Sequence, residues 1–178
     1  VRRRRMFVTA TALLAATCVL WRPWTRPDAV DFLDVGHSDA ALIRTASGDA
    51  VLIDGGDTSE VNDMGARVVL PFLRHHGVRR LDYVVVTHAD RDHIGGLFHV
   101  LRRMPVGAVL LGPESDECPL KAEFLALCAA RGVPVHRVAR GDVIPLRGGA
   151  LEVLHPPRGW RADASPNDAS LVLRRRWT

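Results

Sequence analysis

The sequence predicts an α/β fold in which helices pack on the outside of β-sheets. Strand-like runs fill the chain just after residue 30 and again near its end, and helical and strand-like runs alternate between them. One run, LDYVVVT (81–87), is almost uninterruptedly apolar, which is typical of a strand covered on both faces. Of the 178 residues, 47% are hydrophobic, so the chain can bury the core of one domain.

Residues 1–29 differ in composition from the rest. A basic cluster, VRRRR, precedes MFVTATALLAATCVLW (6–21), which contains no charged residue. We predict a membrane helix here, because Trp21 and Trp24 suit the bilayer interface and the N-terminal arginines outnumber those that follow, which keeps the N-terminus in the cytoplasm. A cleaved signal peptide is the alternative, although no A-x-A cleavage site precedes the next arginine and proline. In both cases the globular part, residues 30–178, is expected on the extracytoplasmic side.

The first elements of the globular part follow from local patterns. Three short β-rich runs predict strands: VDFLDV (30–35), DAALIRT (39–45) and AVLIDGG (50–56). The turn sequence ASGD between the last two predicts a hairpin. GARVVLPFLRHHGV (65–78) has helical spacing and a stop at Gly77, although Pro71 interrupts its middle.

Helices and strands alternate after the apolar strand at 81–87, and the last part is rich in strands. The predicted elements are, in order, a helix over IGGLFHVLRRM (94–104), a strand over GAVLLG (107–112), an amphipathic helix over PLKAEFLALCAARG (119–132), and strands over VPVHRV, DVIPL, ALEVLHP and ASLVLRRR. This order favours sheets with helices packed outside them.

Charge and cysteine content exclude some classes of protein. The net charge is +4 with 24 basic residues, of which only Lys121 is a lysine. Because the arginines are spread along the chain, charge alone does not indicate nucleic-acid binding. Three cysteines without a Cys-x-x-Cys exclude a structural zinc ribbon. Cys118 and Cys128 could pair outside the cytoplasm, but we favour unpaired thiols, with Cys128 packed on a helix.

The stretch HADRDHIGG (88–96) carries the candidate chemistry. It follows a predicted strand and so lies at the carboxyl edge of the sheet, where ligands gather in open α/β folds. Imidazole nitrogens and carboxylate oxygens together suit Zn²⁺, Mn²⁺ or Fe²⁺. Because alternate residues of a loop point to opposite sides, we predict that His88 and Asp90 hold one ion. Asp92 and His93 then hold a second, and a solvated polar loop without metal is the alternative.

The motif favours a hydrolytic two-metal site over a calcium-binding loop. Two ions about 3.5–4 Å apart activate water and hold both the attacking and the leaving oxygen of an ester or phosphodiester. Ile94 and Leu101 stand where a Ca²⁺-binding EF-hand loop requires ligands, so that motif is excluded. Gly95 and Gly96 keep the backbone compact, which allows the next helix to begin close to the site.

Several separate stretches resemble one known family. THADRDHIGG resembles the His-x-(His/Asp)-x-Asp-His signature of the metallo-β-lactamase superfamily, and FLDVGHSDAALIRTASGDAVLIDGG is similar to the opening hairpins of that fold. With LEVLHPP and NDASLVLRRR, the resemblance over residues 31–175 extends to the exported C-terminal domain of ComEC-type DNA-uptake channel proteins of bacterial competence. The apolar N-terminal segment matches the membrane helix that precedes this domain. Gly36-His37-Ser38 departs from the Gly-Gln-Gly usual in the family.

The resemblance implies a metal-dependent hydrolase, specifically a nuclease, at the cell membrane. Its implied fold is an αββα sandwich, here incomplete because about a third of the fold follows the stretch that matches NDASLVL. The implied cofactors are two divalent ions, Zn²⁺ or Mn²⁺, and the implied partners are DNA, the membrane and other components of DNA uptake. Asp92 is the candidate proton acceptor. Another exported hydrolase of this fold, acting on a small ester or amide, and an inactive fragment are the alternatives.

The incomplete fold leads to three further expectations. The superfamily's bridging carboxylate and its last histidine lie in the missing part, so we expect the motif to hold at most one ion tightly. We also expect poor solubility, because the first sheet would expose an apolar face. Asp168 is the candidate replacement ligand, with Asn167 as its competitor and turn capping as the alternative role.

Asp34 and Asp54 end strands at the same edge and are candidates to orient a ligand histidine; turn formation is the alternative for Asp54.

Overall fold

Two β-sheets packed face to face, with helices on one outer side, form the core. The computed structural model describes residues 27–59, 62–113, 118–160 and 166–177. The strands within these residues are β1 (Ala29–Phe32), β2 (Ala41–Arg44), β3 (Ala50–Ile53), β4 (Leu81–Val86), β5 (Val106–Leu111), β6 (Val135–Arg137), β7 (Val143–Leu146), β8 (Gly149–His155) and β9 (Val172–Trp177). The helices are α1 (Leu70–His75), α2 (Arg91–Ile94), α3 (Leu97–Arg103) and α4 (Pro119–Ala130), with a π-helical turn at Gly65–Val69 and a 3₁₀ turn at Pro166–Ala169. The predicted α/β class is confirmed.

The first sheet has six strands in the order β1 to β6. Strand β2 pairs antiparallel with both β1 and β3, which confirms the predicted hairpin, and β3 to β6 run parallel to one another. The carboxyl ends of these parallel strands therefore meet at one edge of the sheet, here called the carboxyl edge. Their first residues meet at the opposite end, the amino edge.

The position of strand β4 between two apolar cores explains its composition. Val84 and Val86 face the helices, and Val85 between them faces the second sheet; all three side chains are fully buried. A strand with alternate residues in two different cores needs no polar side, which is the physical basis of the uninterrupted run.

The second sheet has three antiparallel strands, in the order β7-β8-β9. Its inward residues form an apolar cluster with those of the first sheet: Ile43, Val51, Val85, Leu110, Val138, Ile144, Leu151, Val153 and Leu171. The expectation that the first sheet exposes its apolar face is therefore wrong. The last predicted strands pair with one another and cover that face.

The helices differ from their predicted boundaries in two places. The helix predicted over 65–78 is a π-helical turn followed directly by α1, and Pro71 lies in the first turn of α1, where proline is tolerated. Gly77 ends α1 with a φ of 68°, as predicted for a helix stop. The helix predicted over 94–104 begins earlier, as the single turn α2, and resumes as α3.

The chain enters the first sheet at the amino edge. Ala29 begins β1 opposite Arg44, and the Asp28 carboxylate accepts a hydrogen bond of 2.8 Å from the Ala46 N–H. The predicted membrane segment falls within residues 1–26, which lie outside the described residues. Among the residues that are described, none of the helices has both the length and the apolar content needed to cross a bilayer.

Both cysteines of the described globular part are free thiols, but their surroundings differ. Cys128 lies fully buried in the helix-side core, and this burial raises the pKa of its thiol to about 11, whereas Cys118 is only partly buried. We expect iodoacetamide to modify Cys118 in the native protein and to spare Cys128, because the thiolate is the reactive form. Peptide mass spectrometry of native and urea-denatured samples measures this difference. Equal native rates at the two cysteines would contradict it.

Candidate metal centre

Strand β4 and helix α2 bring the two predicted histidines together at the carboxyl edge. His88 follows β4 after one residue, and Asp90 is the N-cap of α2, with its carbonyl accepting hydrogen bonds from the N–H groups of His93 and Ile94. The helical turn folds the chain back, so that the His88 and His93 rings lie 3.9 Å apart between centroids. The prediction of a loop over the whole motif is therefore wrong from Arg91 onward. One helical turn, and not loop alternation, positions the second His–Asp pair.

Carboxylates face the outward nitrogen of each histidine. The Nε2 atom of His88 lies 3.5 Å from the Asp90 Oδ2, and the Nε2 of His93 lies 3.5 Å from the Asp92 Oδ2. A third carboxylate, that of Asp39, lies 3.6 Å from the same His93 nitrogen. The four motif residues thus lie in two His–Asp pairs, and Asp39, which the sequence analysis did not select, lies beside the second; that the pairs hold ions stays a prediction.

The inward nitrogens of both rings are held by buried polar groups. The Asp54 Oδ2 lies 2.9 Å from the His93 Nδ1 and also accepts a 2.7 Å hydrogen bond from the Thr87 hydroxyl. The Thr87 and Ser170 hydroxyls lie 3.1 and 3.2 Å from the His88 Nδ1. With each Nδ1 engaged, the Nε2 atoms are the ones available to a ligand on the acidic side.

Asp54 is built tightly into the sheet. Its side chain is 3% exposed, its N–H donates to the Val85 carbonyl, and its Oδ1 accepts a 2.9 Å hydrogen bond from the Thr87 N–H. Its φ of 55° lies in the left-handed region, which few residues other than glycine, asparagine and aspartate adopt. This backbone conformation lets the chain leave β3 while the carboxylate turns back toward His93.

Carboxylates also set the charge state of His93. Burial of the ring disfavours its protonated form, but the hydrogen bond to Asp54 and the negative charges of Asp54, Asp92 and Asp39 outweigh burial and raise the pKa of His93 above its usual 6.5. The same negative environment that favours a proton on this ring also favours a divalent cation beside it.

The structure places two predicted residues away from this cluster. Asp168 is exposed on the 3₁₀ turn, where its backbone carbonyl lies 2.8 Å from the His155 Nε2, and its neighbours Asn167 and Ser170 line the cleft above the histidines. Asp34 is exposed as well, and its carboxylate accepts a 3.4 Å hydrogen bond from the Gly36 N–H. Asp54 is thus the strand-ending carboxylate that reaches a histidine of the motif.

The donor geometry fits divalent metal in part. Two ligands of one tetrahedral ion, each at about 2.1 Å, lie about 3.4 Å from each other. The His–Asp separations of 3.5 and 3.6 Å are close to this value. Within the described part of the chain, no three or more His, Cys, Asp and Glu side chains are already arranged to hold an ion. Each His–Asp pair therefore offers two potential ligands, and an ion bound there would need water or other groups to complete its coordination.

Comparisons of the sequence with known proteins identify similar proteins. A family model described as the metallo-beta-lactamase superfamily matches residues 33–166. ComE operon protein 3 of Bacillus subtilis (strain 168) is 31% identical over 156 residues, which cover 81% of this chain and 20% of that protein. Competence protein ComA of Neisseria gonorrhoeae is 37% identical over 109 residues, which cover 59% of this chain and 15% of that protein. The chain thus spans about a fifth of the length of such relatives, or less.

Solved structures support the fold. The structure of MEM-A1, a subclass B3 metallo-beta-lactamase from a soil metagenome library, superposes with a TM-score of 0.53 at 18% identity, covering 82% of this chain and 54% of that one. Rubredoxin oxygen:oxidoreductase of Desulfovibrio gigas gives a TM-score of 0.51 at 14% identity, covering 83% of this chain and 31% of that one. At these identities the likeness concerns the fold alone.

Proposed function

The chain belongs to the metallo-β-lactamase superfamily, and we propose that it is the metal-dependent hydrolase domain of a DNA-uptake membrane protein. Its substrate is the phosphodiester backbone of DNA. The observation that carries this proposal is the pairing of His88 with Asp90 and of His93 with Asp92 at the carboxyl edge. The competence relatives support the substrate and the cellular role.

The residues of the site have two kinds of role: most bind metal or orient a metal ligand, and one accepts a proton from water. His88 with Asp90, and His93 with Asp92, are the groups that would hold divalent ions, Zn²⁺ or Mn²⁺. When bound, such ions activate water and stabilise negative charge on phosphate oxygens. Asp54 fixes the ring of His93 from behind, which keeps its Nε2 turned toward the acidic side. The Asp92 carboxylate is 49% exposed and lies 3.5 Å from the His93 Nε2, so it can accept a proton from a water molecule beside that nitrogen.

The cleft also suits an extended substrate. It has a volume of about 450 Å³ and is lined by both histidines, by Asn167 and Ser170 from the turn before β9, and by Phe32, which is 85% exposed. An exposed aromatic ring beside a charged site offers a surface on which a nucleobase stacks. We further propose that residues 6–21 anchor the domain in the membrane, with the cleft on the extracytoplasmic side, where other DNA-uptake components are its partners.

Metal content and DNA cleavage test the proposal together. The full chain, purified in mild detergent, is expected to retain at most one tightly held ion by metal mass spectrometry and to cleave a labelled single-stranded oligonucleotide. We expect the double variant Asp92→Ala, His93→Ala to lose the ion and at least about 100-fold in cleavage, because it removes one whole ligand pair and the proton acceptor.

A second His–Asp pair provides a matched control. Asp63 and His99 lie 3.2 Å apart outside the cleft. The variant Asp63→Ala, His99→Ala removes the same groups and should leave metal content and cleavage unchanged. Equal losses in the two variants would refute the assignment of the site. Retained metal with hydrolysis of a small ester, but not of DNA, would keep the metal centre and reject the DNA substrate.

A further inference from the structure

Arginines cluster at the amino edge, at the far end of the sheet from the metal centre. Arg44, Arg79, Arg80 and Arg147 line a cavity of about 400 Å³ there, and Arg74, Arg79 and Arg103 line the adjoining one. We call these six arginines the arginine edge. They come from separate segments: the end of β2, the end of α1 and the residues before β4, the end of α3, and the turn between β7 and β8.

Local acidic groups neutralise only part of this charge. Asp49 and Asp82 share Arg147, at 3.7 and 3.5 Å, and also accept backbone hydrogen bonds, so both are engaged. Arg44 is paired with Asp31 at 2.8 Å. The remaining four, Arg74, Arg79, Arg80 and Arg103, are exposed, and none of them has an ion pair with another described residue. The edge therefore presents unneutralised guanidinium groups to solvent.

The N-terminal segment joins the domain at this edge. Ala29, the first residue of β1, lies opposite Arg44. Seven residues lie between Ala29 and Trp21, the last residue of the uncharged run, and the eight Cα-to-Cα steps that join these two residues span at most about 28 Å when fully extended. A bilayer that holds residues 6–21 is therefore within reach of the arginine edge. The length of β4, six residues or about 20 Å, separates that edge from the metal centre.

We infer that the arginine edge docks on the anionic phospholipid surface of the membrane. Guanidinium groups bind phosphate oxygens in pairs of hydrogen bonds, and each arginine near an anionic surface raises the docked population roughly fivefold. Docking turns the carboxyl edge, and with it the metal centre, away from the bilayer and toward substrate. The inference rests on the membrane anchor of the proposed function and adds the orientation of the domain.

Hydrogen exchange of the full chain in lipid nanodiscs tests the docking. In nanodiscs of phosphatidylcholine with phosphatidylglycerol, compared with phosphatidylcholine alone, we expect severalfold slower amide exchange over residues 77–80 and 147–149. Exchange over residues 88–93 should be the same in both. High salt should abolish the difference, since it screens contacts at the lipid surface. This comparison of lipids uses the wild-type chain, so it does not depend on any variant folding.

Variants then assign the effect to the arginines. Arg79→Ala, Arg80→Ala should lower the ratio of docked to free domain roughly 25-fold and remove the protection. The control variant Arg67→Ala, Arg102→Ala removes the same charge from the exposed surface of the helix layer, outside both cavities, and should retain the protection.

The outcomes separate this inference from the proposed function. If the chain stays bound to both kinds of nanodisc and its amide exchange is the same in both, docking of the arginine edge is overturned and the membrane anchor is kept. If the chain binds neither kind of nanodisc, both the docking and the anchor are overturned. Protection by a single-stranded oligonucleotide in neutral nanodiscs, without protection by anionic lipid, would overturn the inference and identify nucleic acid as the partner. If the chain binds no metal or cleaves no DNA, the metal centre and the DNA substrate of the proposed function fail, but the exchange experiment still tests the docking.

Discussion

Replacement of Asp54 by asparagine is expected to weaken metal binding about 10- to 100-fold while both sheets stay folded. Asparagine has the shape of aspartate and also adopts the left-handed backbone conformation that this position requires, with a φ of 55°. It lacks the second carboxylate oxygen, which contacts the His93 Nδ1 at 2.9 Å and the Thr87 hydroxyl at 2.7 Å. An amide NH₂ in that place cannot accept the histidine proton, so the ring loses the group that orients it.

Calorimetric titration with Zn²⁺ or Mn²⁺ measures this effect, and thermal unfolding measures its structural component. One orphaned buried donor costs about 1–3 kcal/mol, which lowers the unfolding temperature without preventing folding. Asp34→Asn is the matched control, because that exposed carboxylate contacts only the Gly36 N–H among the described groups. Unchanged affinity in Asp54→Asn, or an equal loss in both variants, would show that Asp54 does not support the metal centre.

The metal-free protein provides a second readout of the same substitution. Because the folded pKa of His93 lies above 6.5, its protonation stabilises the fold fully below the unfolded pKa, and this contribution is lost as pH rises through the folded value. We therefore expect Asp54→Asn to lower the pKa of His93 in an NMR titration and to reduce stability more at acidic than at alkaline pH. A merely structural role for Asp54 would leave the histidine titration in place.

The position of the histidine–aspartate motif at the carboxyl edge could be predicted from the local sequence. The apolar run of β4 predicts a buried strand, and the residues that follow such a strand must lie at its carboxyl edge. The spacing of the motif also places Asp90 near His88, whereas the approach of Asp92 and His93 to this pair depends on a helical turn. The helical turn α2 was missed because four residues are too few for helical periodicity to be visible. Tertiary packing, and not intrinsic propensity, stabilises so short a turn.

The contacts that sequence could not predict come from distant segments. Ser170 reaches His88 across 82 positions of the chain, and Asp39 approaches His93 from the loop before β2. Serine and aspartate in loops are ordinarily turn residues, so nothing in their local pattern distinguishes these two. The pairing of β7, β8 and β9 into a covering sheet was missed for the same reason, since strand pairing between distant segments has no local signal.

Gly96 holds the site together through close backbone packing. A Cβ atom on Gly96 would lie 2.0 Å from the Gly55 carbonyl oxygen and 2.6 Å from the Gly65 nitrogen, and a Cβ on Gly65 would lie 2.0 Å from the Gly96 carbonyl oxygen. These atoms are backbone, so no side chain can rotate to relieve the overlap. The chain after β3, the π-helical turn and the start of α3 thus meet at distances that only glycine permits.

Gly96→Ala should therefore destabilise the fold by about 3 kcal/mol or more, which lowers the unfolding temperature by roughly 6–12 °C for a domain of this size. Gly112→Ala is the control, because its added Cβ would lie 3.5 Å from the nearest atom, an ordinary contact. The damage should extend to the metal centre, since the Gly55 N–H donates to the His93 carbonyl at 2.8 Å and Gly55 follows Asp54 directly. Equal unfolding temperatures for the two alanine variants would mean that the backbones can separate without cost, and the compact junction would then not be what holds Asp54 against His93.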